Sequence, residues 1–177
     1  ELRGHTAFSF ADASGTPESL IARAHNLGYR RIAITDNADL GAIVRAQLAA
    51  RACDPPLELI VGAEINVDGM PCAFLARNAQ GYRNVAALVT AARVGSWTAW
   101  DKDAQHRRRG HAGVTWQQVA RHAEGVHALT GPGSGPLASR IRAGDDSGAR
   151  RLLGDWYEVF GDRLAVEVQL HHTGGAE

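Results

Sequence analysis

Several short stretches of this chain end in side chains that could hold a metal ion or move a proton. Gly4-His5 is followed by Asp12, Thr35 by Asp36-Asn37, and Gly62-Ala63 by Glu64, with Thr130-Gly131 and His171-His172 further on. His5, Asp12, Asp36 and Glu64 each stand where a short apolar run gives way to a loop. Imidazoles and carboxylates are the donors that grip a divalent cation while it acidifies a bound water. Without a metal, the same groups suit general acid–base chemistry. A plainer reading makes Asp12 and Asp36 turn caps and His5 a hydrogen-bonded rim residue. From spacing alone the plainer reading carries more weight.

The elements that must position these residues alternate between strand and helix. Glu1-Leu2 reads as the beginning of a strand. Thr16-Pro17-Glu18 is an N-cap with proline at the first helical position, and Leu20, Ile21, Ala24 and Leu27 follow on one face before Gly28. Ile32-Ala33-Ile34 is a β-type run. Residues 40–52 are helical, with Ile43, Val44, Ala46 and Leu48 on the apolar side. Residues 57–61 form the next strand, and Asp68-Gly69 turns into a return through Cys72-Ala73-Phe74-Leu75. Residues 81–93 are helical, with Val85, Leu88 and Val89 spaced for a core. Thr115 caps a helix, residues 126–130 make a strand, and Gly131 to Pro136 turns into a helix at 137–142. A helix over 145–160 and a strand over 164–170 complete the pattern. Such alternation implies an α/β fold with a mainly parallel sheet, open or closed into a barrel.

Residues 94–113 break the rhythm and read as a variable, mobile loop within a single domain of residues 1–177. They hold Trp97, Trp100 and the run His106-Arg107-Arg108-Arg109. Arg107, Arg108 and Arg109 could contact phosphates beside stacking tryptophans. A solvated loop in which they pair with Asp101 and Asp103 is the preferred alternative. His171 and His172 point to opposite faces of a strand, so at most one could reach a cleft. Gly131 to Gly135 lacks the Lys-Ser/Thr of a phosphate-binding loop. His25, His122 and His127 read as surface or packed residues.

The 177 residues suit one domain, and 19 Lys+Arg balance 19 Asp+Glu. Zero net charge argues against a free-standing nucleic-acid binder with a broad basic face. The two cysteines form no framework, which favours a reducing, cytoplasmic setting, and no 18-residue apolar run suggests a membrane span. The opening at Glu1 and the close at Gly174-Gly175-Ala176-Glu177 read as a segment trimmed from something longer.

The run from Glu1 through Gly4-His5-Thr6 and Phe10-Ala11-Asp12 to Ser14 resembles the opening motif of the PHP (polymerase and histidinol phosphatase) domain. The resemblance continues in Ala33-Ile34-Thr35-Asp36, Ile60-Val61-Gly62-Ala63-Glu64, Leu75-Ala76-Arg77-Asn78 and Gly81-Tyr82-Arg83-Asn84. Ala128-Leu129-Thr130-Gly131 and Val166-Glu167-Val168-Gln169 complete it. It is nearest the version at the N-terminus of bacterial C-family DNA polymerases, the error-prone kind in particular. It implies a distorted (β/α)7 barrel, possibly truncated at its C-terminal end, with a polynuclear metal cluster at the strand ends that cleaves phosphoester bonds. Carried over by position, His5, Asp12 and Glu64 match metal ligands and Asp36 matches the Asp of a Thr-Asp-His motif. Arg3 and Asn37 stand where that family has histidines, Pro71 near a further one, and Pro132 where active polymerases have a cysteine.

A guanidinium has no lone pair to offer a metal, and neither proline has a side-chain donor. The resemblance therefore implies a degenerate site binding zinc or manganese weakly if at all, with no cofactor required. Its role would be mainly structural, supporting the rest of a polymerase chain that itself handles DNA. Two alternatives stay open: a working phosphoesterase or 3′–5′ proofreading exonuclease, and a module that recruits damage-tolerance proteins. Arg3 is expected to stand in electrostatically for the lost metal, between Asp12 and Glu64.

Overall fold

The computed structural model describes residues 1–10, 12–98 and 113–169. The strands are β1 (Arg31–Ile34), β2 (Glu58–Val67), β3 (Met70–Ala76), β4 (Gly113–Val114), β5 (Val126–Leu129) and β6 (Leu164–Ala165). The helices are α1 (Pro17–Asn26), α2 (Ile43–Ala52), α3 (Ala79–Thr98), α4 (Trp116–Arg121), α5 (Pro136–Arg142) and α6 (Asp146–Phe160). One sheet runs in the order β1-β2-β3-β5-β6, and β4 joins β2. Residues 1–4 extend the sheet beyond β1: the Ala33 amide donates to the Glu1 carbonyl, and the Thr35 amide to that of Gly4.

The sheet is parallel except for β3, which is antiparallel to both β2 and β5. The reversal comes from the two-residue turn at Asp68 and Gly69, whose φ angles are 48° and 86°. Two successive positive φ values suit the right-handed twist of a hairpin, and they set Val67 against Met70. Caps found in the sequence hold. The Thr16 side chain accepts from the Ser19 amide, and Thr115 and Gln118 form a reciprocal capping box.

Strand alternation splits the packing between two faces. Ile65, Val67, Cys72 and Phe74 meet Val85 and Leu88 of α3 and Trp156 and Phe160 of α6. Trp116 and Trp156 stack with centroids 5.0 Å apart. Ile32 and Ile34 pack on Ile21 of α1 and Ile43 of α2. The opposite face holds the small cluster of Ala33, Ala73, Leu75 and Leu129. Gly62 belongs to it: a methyl group there would lie 2.6 Å from Leu75 and 2.9 Å from Thr35. The inner-face cluster is much the smaller of the two.

Three expectations change. α2 begins at Ile43 and buries Ile43, Ala46 and Ala50, leaving Val44 70% and Leu48 64% exposed. Its small alanines let it lie close against α1, where Ala24 is buried while Leu27 is exposed. α3 continues to Thr98 and β4 begins at Gly113, so the loop expected over 94–113 is helix or strand at both ends. Residues 99–112, including Arg107, Arg108 and Arg109, lie outside the described residues, as do His171 and His172. β6 is two residues long, and Val166 and Val168 beyond it face outward. Among the described residues, no helix is long and apolar enough to cross a membrane.

Cys72 is buried between the sheet and its helices, and that burial pushes its thiol well above the usual range. Cys53 is only half-buried. Titration of the native protein with a thiol-specific disulfide reagent should modify Cys53 alone, with Cys72 reacting only after denaturation. Equal rates at the two thiols would contradict this packing.

Candidate functional site

Gly4 sits so close to the Ala33 carbonyl and to Leu20 that a side chain there would clash, which turns its neighbours Arg3 and His5 to the inner face. Glu64 reaches the same face from β2, opposite Ala73 of β3. Glu167 arrives from the chain beyond β6, its amide donating to the Thr130 hydroxyl at 3.1 Å. The Arg3 guanidinium donates through Nη2 to Glu64 Oε2 and through Nη1 to both oxygens of Glu167 at 3.1 Å. These side chains are 10%, 10% and 9% exposed. Gln169 Nε2 adds a donor to Glu167 at 2.6 Å.

His5 links this cluster to the solvent edge. Its Nδ1 lies 2.6 Å from Asp12 Oδ2, and Asp12 is 52% exposed. Its Nε2 is buried and stands 3.3 Å from Glu64 Oε2, without a hydrogen-bond partner among the described residues. Arg3, His5, Asp12 and Glu64 lie in one connected set, but Arg3 does not sit between Asp12 and Glu64. Arg3 bridges Glu64 to Glu167, while Asp12 pairs with His5.

Asp36 does different work from the rest of the set. Fully buried, it accepts from the Thr6 amide at 2.7 Å, the Thr6 hydroxyl at 2.7 Å and the Ser9 hydroxyl at 2.6 Å. The Asn37 amide donates to Ser9 Oγ, and its backbone bridges to Glu64. Asp36 therefore ties down the loop that carries His5 toward Asp12. Thr6, Ser9 and Glu167 were not singled out from the sequence. Their signal was available: a buried acid at a strand end needs donors nearby, and Glu167 with Gln169 forms a polar stripe in an apolar strand. His25, His122 and His127 bond to backbone carbonyls, as packed residues do.

A guanidinium about 4 Å from a carboxylate gains roughly 4 kcal/mol of Coulomb energy at an effective dielectric near 20, much of it offset by desolvation. Breaking such a buried pair is far costlier than its net worth suggests, because the remaining charge is stranded. The donors do not fit a resident metal. Arg3 occupies the carboxylates of Glu64 and Glu167, and Pro71 and Pro132 offer no side-chain donor. Among the described residues, no three His, Cys, Asp or Glu side chains are grouped to hold an ion.

The architecture has a counterpart among solved structures. A crystal structure from Bifidobacterium adolescentis, described as a metal-dependent phosphoesterase, superposes with a TM-score of 0.54 at 14% identity, covering 95% of this chain and 85% of that one. The chain belongs to the PHP domain family, whose model matches residues 1–171. It is 32% identical to an error-prone DNA polymerase of Anaeromyxobacter sp. (strain K) over the whole of this chain. It is 36% identical to the error-prone DNA polymerase of Xanthomonas axonopodis pv. citri (strain 306) over 97% of this chain. The chain spans 14% of the length of each of these relatives and corresponds to their N-terminal region.

Asp36→Ala should strand the Thr6 and Ser9 donors in the core and cost about 3 kcal/mol or more. Asp36→Asn should cost less, since it keeps an acceptor. Urea denaturation midpoints check both, and an Asp36→Ala midpoint equal to the parent's would contradict the assignment.

Proposed function

We propose that this chain serves as the N-terminal PHP domain of an error-prone DNA polymerase, with a mainly structural role and a silent phosphoesterase cleft. The observation that carries this reading is the Arg3 guanidinium seated on Glu64 and Glu167. That arrangement supplies positive charge but no open coordination position at which water or a phosphoryl oxygen could be polarised. His5, Asp12 and Glu64 are the remnant of the metal-binding set and would hold zinc or manganese weakly at most. Residues 1–177 act as one domain whose chief partner is the remainder of the polymerase chain, in the cytoplasm. DNA is engaged through that larger chain, and damage-tolerance proteins are candidate further partners.

With manganese or zinc added, the chain should hydrolyse neither bis(p-nitrophenyl) phosphate nor 3′-labelled single-stranded DNA above a Glu64→Gln control. Turnover abolished by Glu64→Gln would establish the opposite reading, a working phosphoesterase.

A further inference from the structure

We propose that the cavity between the β2–β3 turn and helices α4, α5 and α6 binds a small aromatic anion, a planar ring carrying a carboxylate or a phosphate. The proposal goes beyond the function proposed above, because this cavity lies on the helical side of the sheet and the Arg3 cleft on the other. Its volume is about 360 Å³, within the roughly 300–1,000 Å³ of small-molecule sites and enough for one or two rings. Trp116, Trp156, Met70 and Leu152 form its apolar wall. Trp156 is 4% exposed, and Trp116 stacks on it at 5.0 Å with the rings 12° from parallel. The Trp116 amide also donates to Asp68 Oδ2 at 3.3 Å, which ties α4 to the turn. A half-buried indole held in this way presents a planar surface that binding need not first order.

The charged groups of the lining decide the sign of the ligand. They are Arg140, Arg151, Asp68 and Asp155, and Asp68 is already engaged by Trp116. Arg140 Nη1 donates to Asp145 Oδ2 at 3.3 Å, and the Gly148 amide donates to Asp145 Oδ1 at 2.9 Å. Glycine at 148 permits this approach, since a methyl group there would fall 1.9 Å from Asp145 Oδ2. The guanidinium so oriented has its Nε buried, and among the described residues that donor has no partner. A buried donor left unpaired is costly, so an acceptor entering the cavity is favoured. Arg151 stands one helical turn before Asp155 and forms no ion pair with it, and so can turn to the same anion. Two guanidinium groups beside an aromatic wall match an aryl carboxylate or an aryl phosphate, and neither a cation nor a bare inorganic anion.

Saturation-transfer NMR titrations with naphthylacetate, its neutral analogue naphthylacetamide, naphthyl phosphate and inorganic phosphate test this. The better of the two naphthyl anions should bind with a Kd of about 1 mM or tighter, and it identifies the preferred head group. The amide and inorganic phosphate should each bind about tenfold more weakly or worse, for want of the charge or of the ring. Arg140→Lys keeps the charge but removes the Nε donor, and should weaken the anion about tenfold. Arg151→Gln, on an exposed side chain whose loss leaves the fold intact, should weaken it severalfold. Asp155→Asn should tighten it, because a like charge is removed from the wall. Absence of saturable binding by either naphthyl anion would overturn the proposal. So would equal binding of acid and amide, full affinity in both arginine variants, or weaker binding in Asp155→Asn.

Discussion

The Arg3 guanidinium lies between two carboxylates that reach it from different parts of the sheet, and all three side chains are about nine-tenths shielded from water. A guanidinium shielded from water is costly unless carboxylates meet it. The surrounding chain must therefore deliver Glu64 and Glu167 to it. Glu64 comes on the longest pairing among the described residues, the β2–β3 hairpin, which the turn at Asp68 and Gly69 registers residue by residue. Glu167 comes on a segment with two residues of ladder, held by Thr130. One partner is thus fixed by backbone and the other largely by side chains.

Room for this arrangement is made by what the inner face lacks. Ala33, Gly62 and Ala73 keep that side of the sheet thin, while Phe74, Phe160, Trp116 and Trp156 fill the helical side. Large inner side chains would hold the edges apart and leave Arg3 facing water.

Much of this was legible in the sequence. The helix caps at Thr16 and Thr115, the Asp68-Gly69 turn and the order of elements follow from local rules that act over a few residues. The reversal of β3 within an otherwise parallel sheet was visible only as a hairpin signal, because pairing partners are set by non-local packing. The outward side of α2 was misread because Val44 and Leu48 are the larger apolar groups, yet small Ala46 and Ala50 decide which face can approach α1. In the site, His5, Asp12, Asp36 and Glu64 were recognisable where apolar runs give way to loops, and Arg3 through the family resemblance. Glu167 was not, since an acid beyond a short strand acquires its partner 164 residues away.

A guanidinium and a metal cluster make unequal demands on the same carboxylates. A metal needs several donors at once, and neither a guanidinium at position 3 nor prolines at 71 and 132 supply one. Arginine needs only acceptors, brings its own charge, and spans two carboxylates with one planar fork. Glu64 and Glu167 therefore have a physical task that needs no metal. It follows that an acid retained in this cleft does not by itself signify hydrolysis. Glu64 and Glu167 are accounted for by the guanidinium they enclose and Asp36 by the Thr6 and Ser9 donors, while Asp12, the most exposed of the set, pairs with His5.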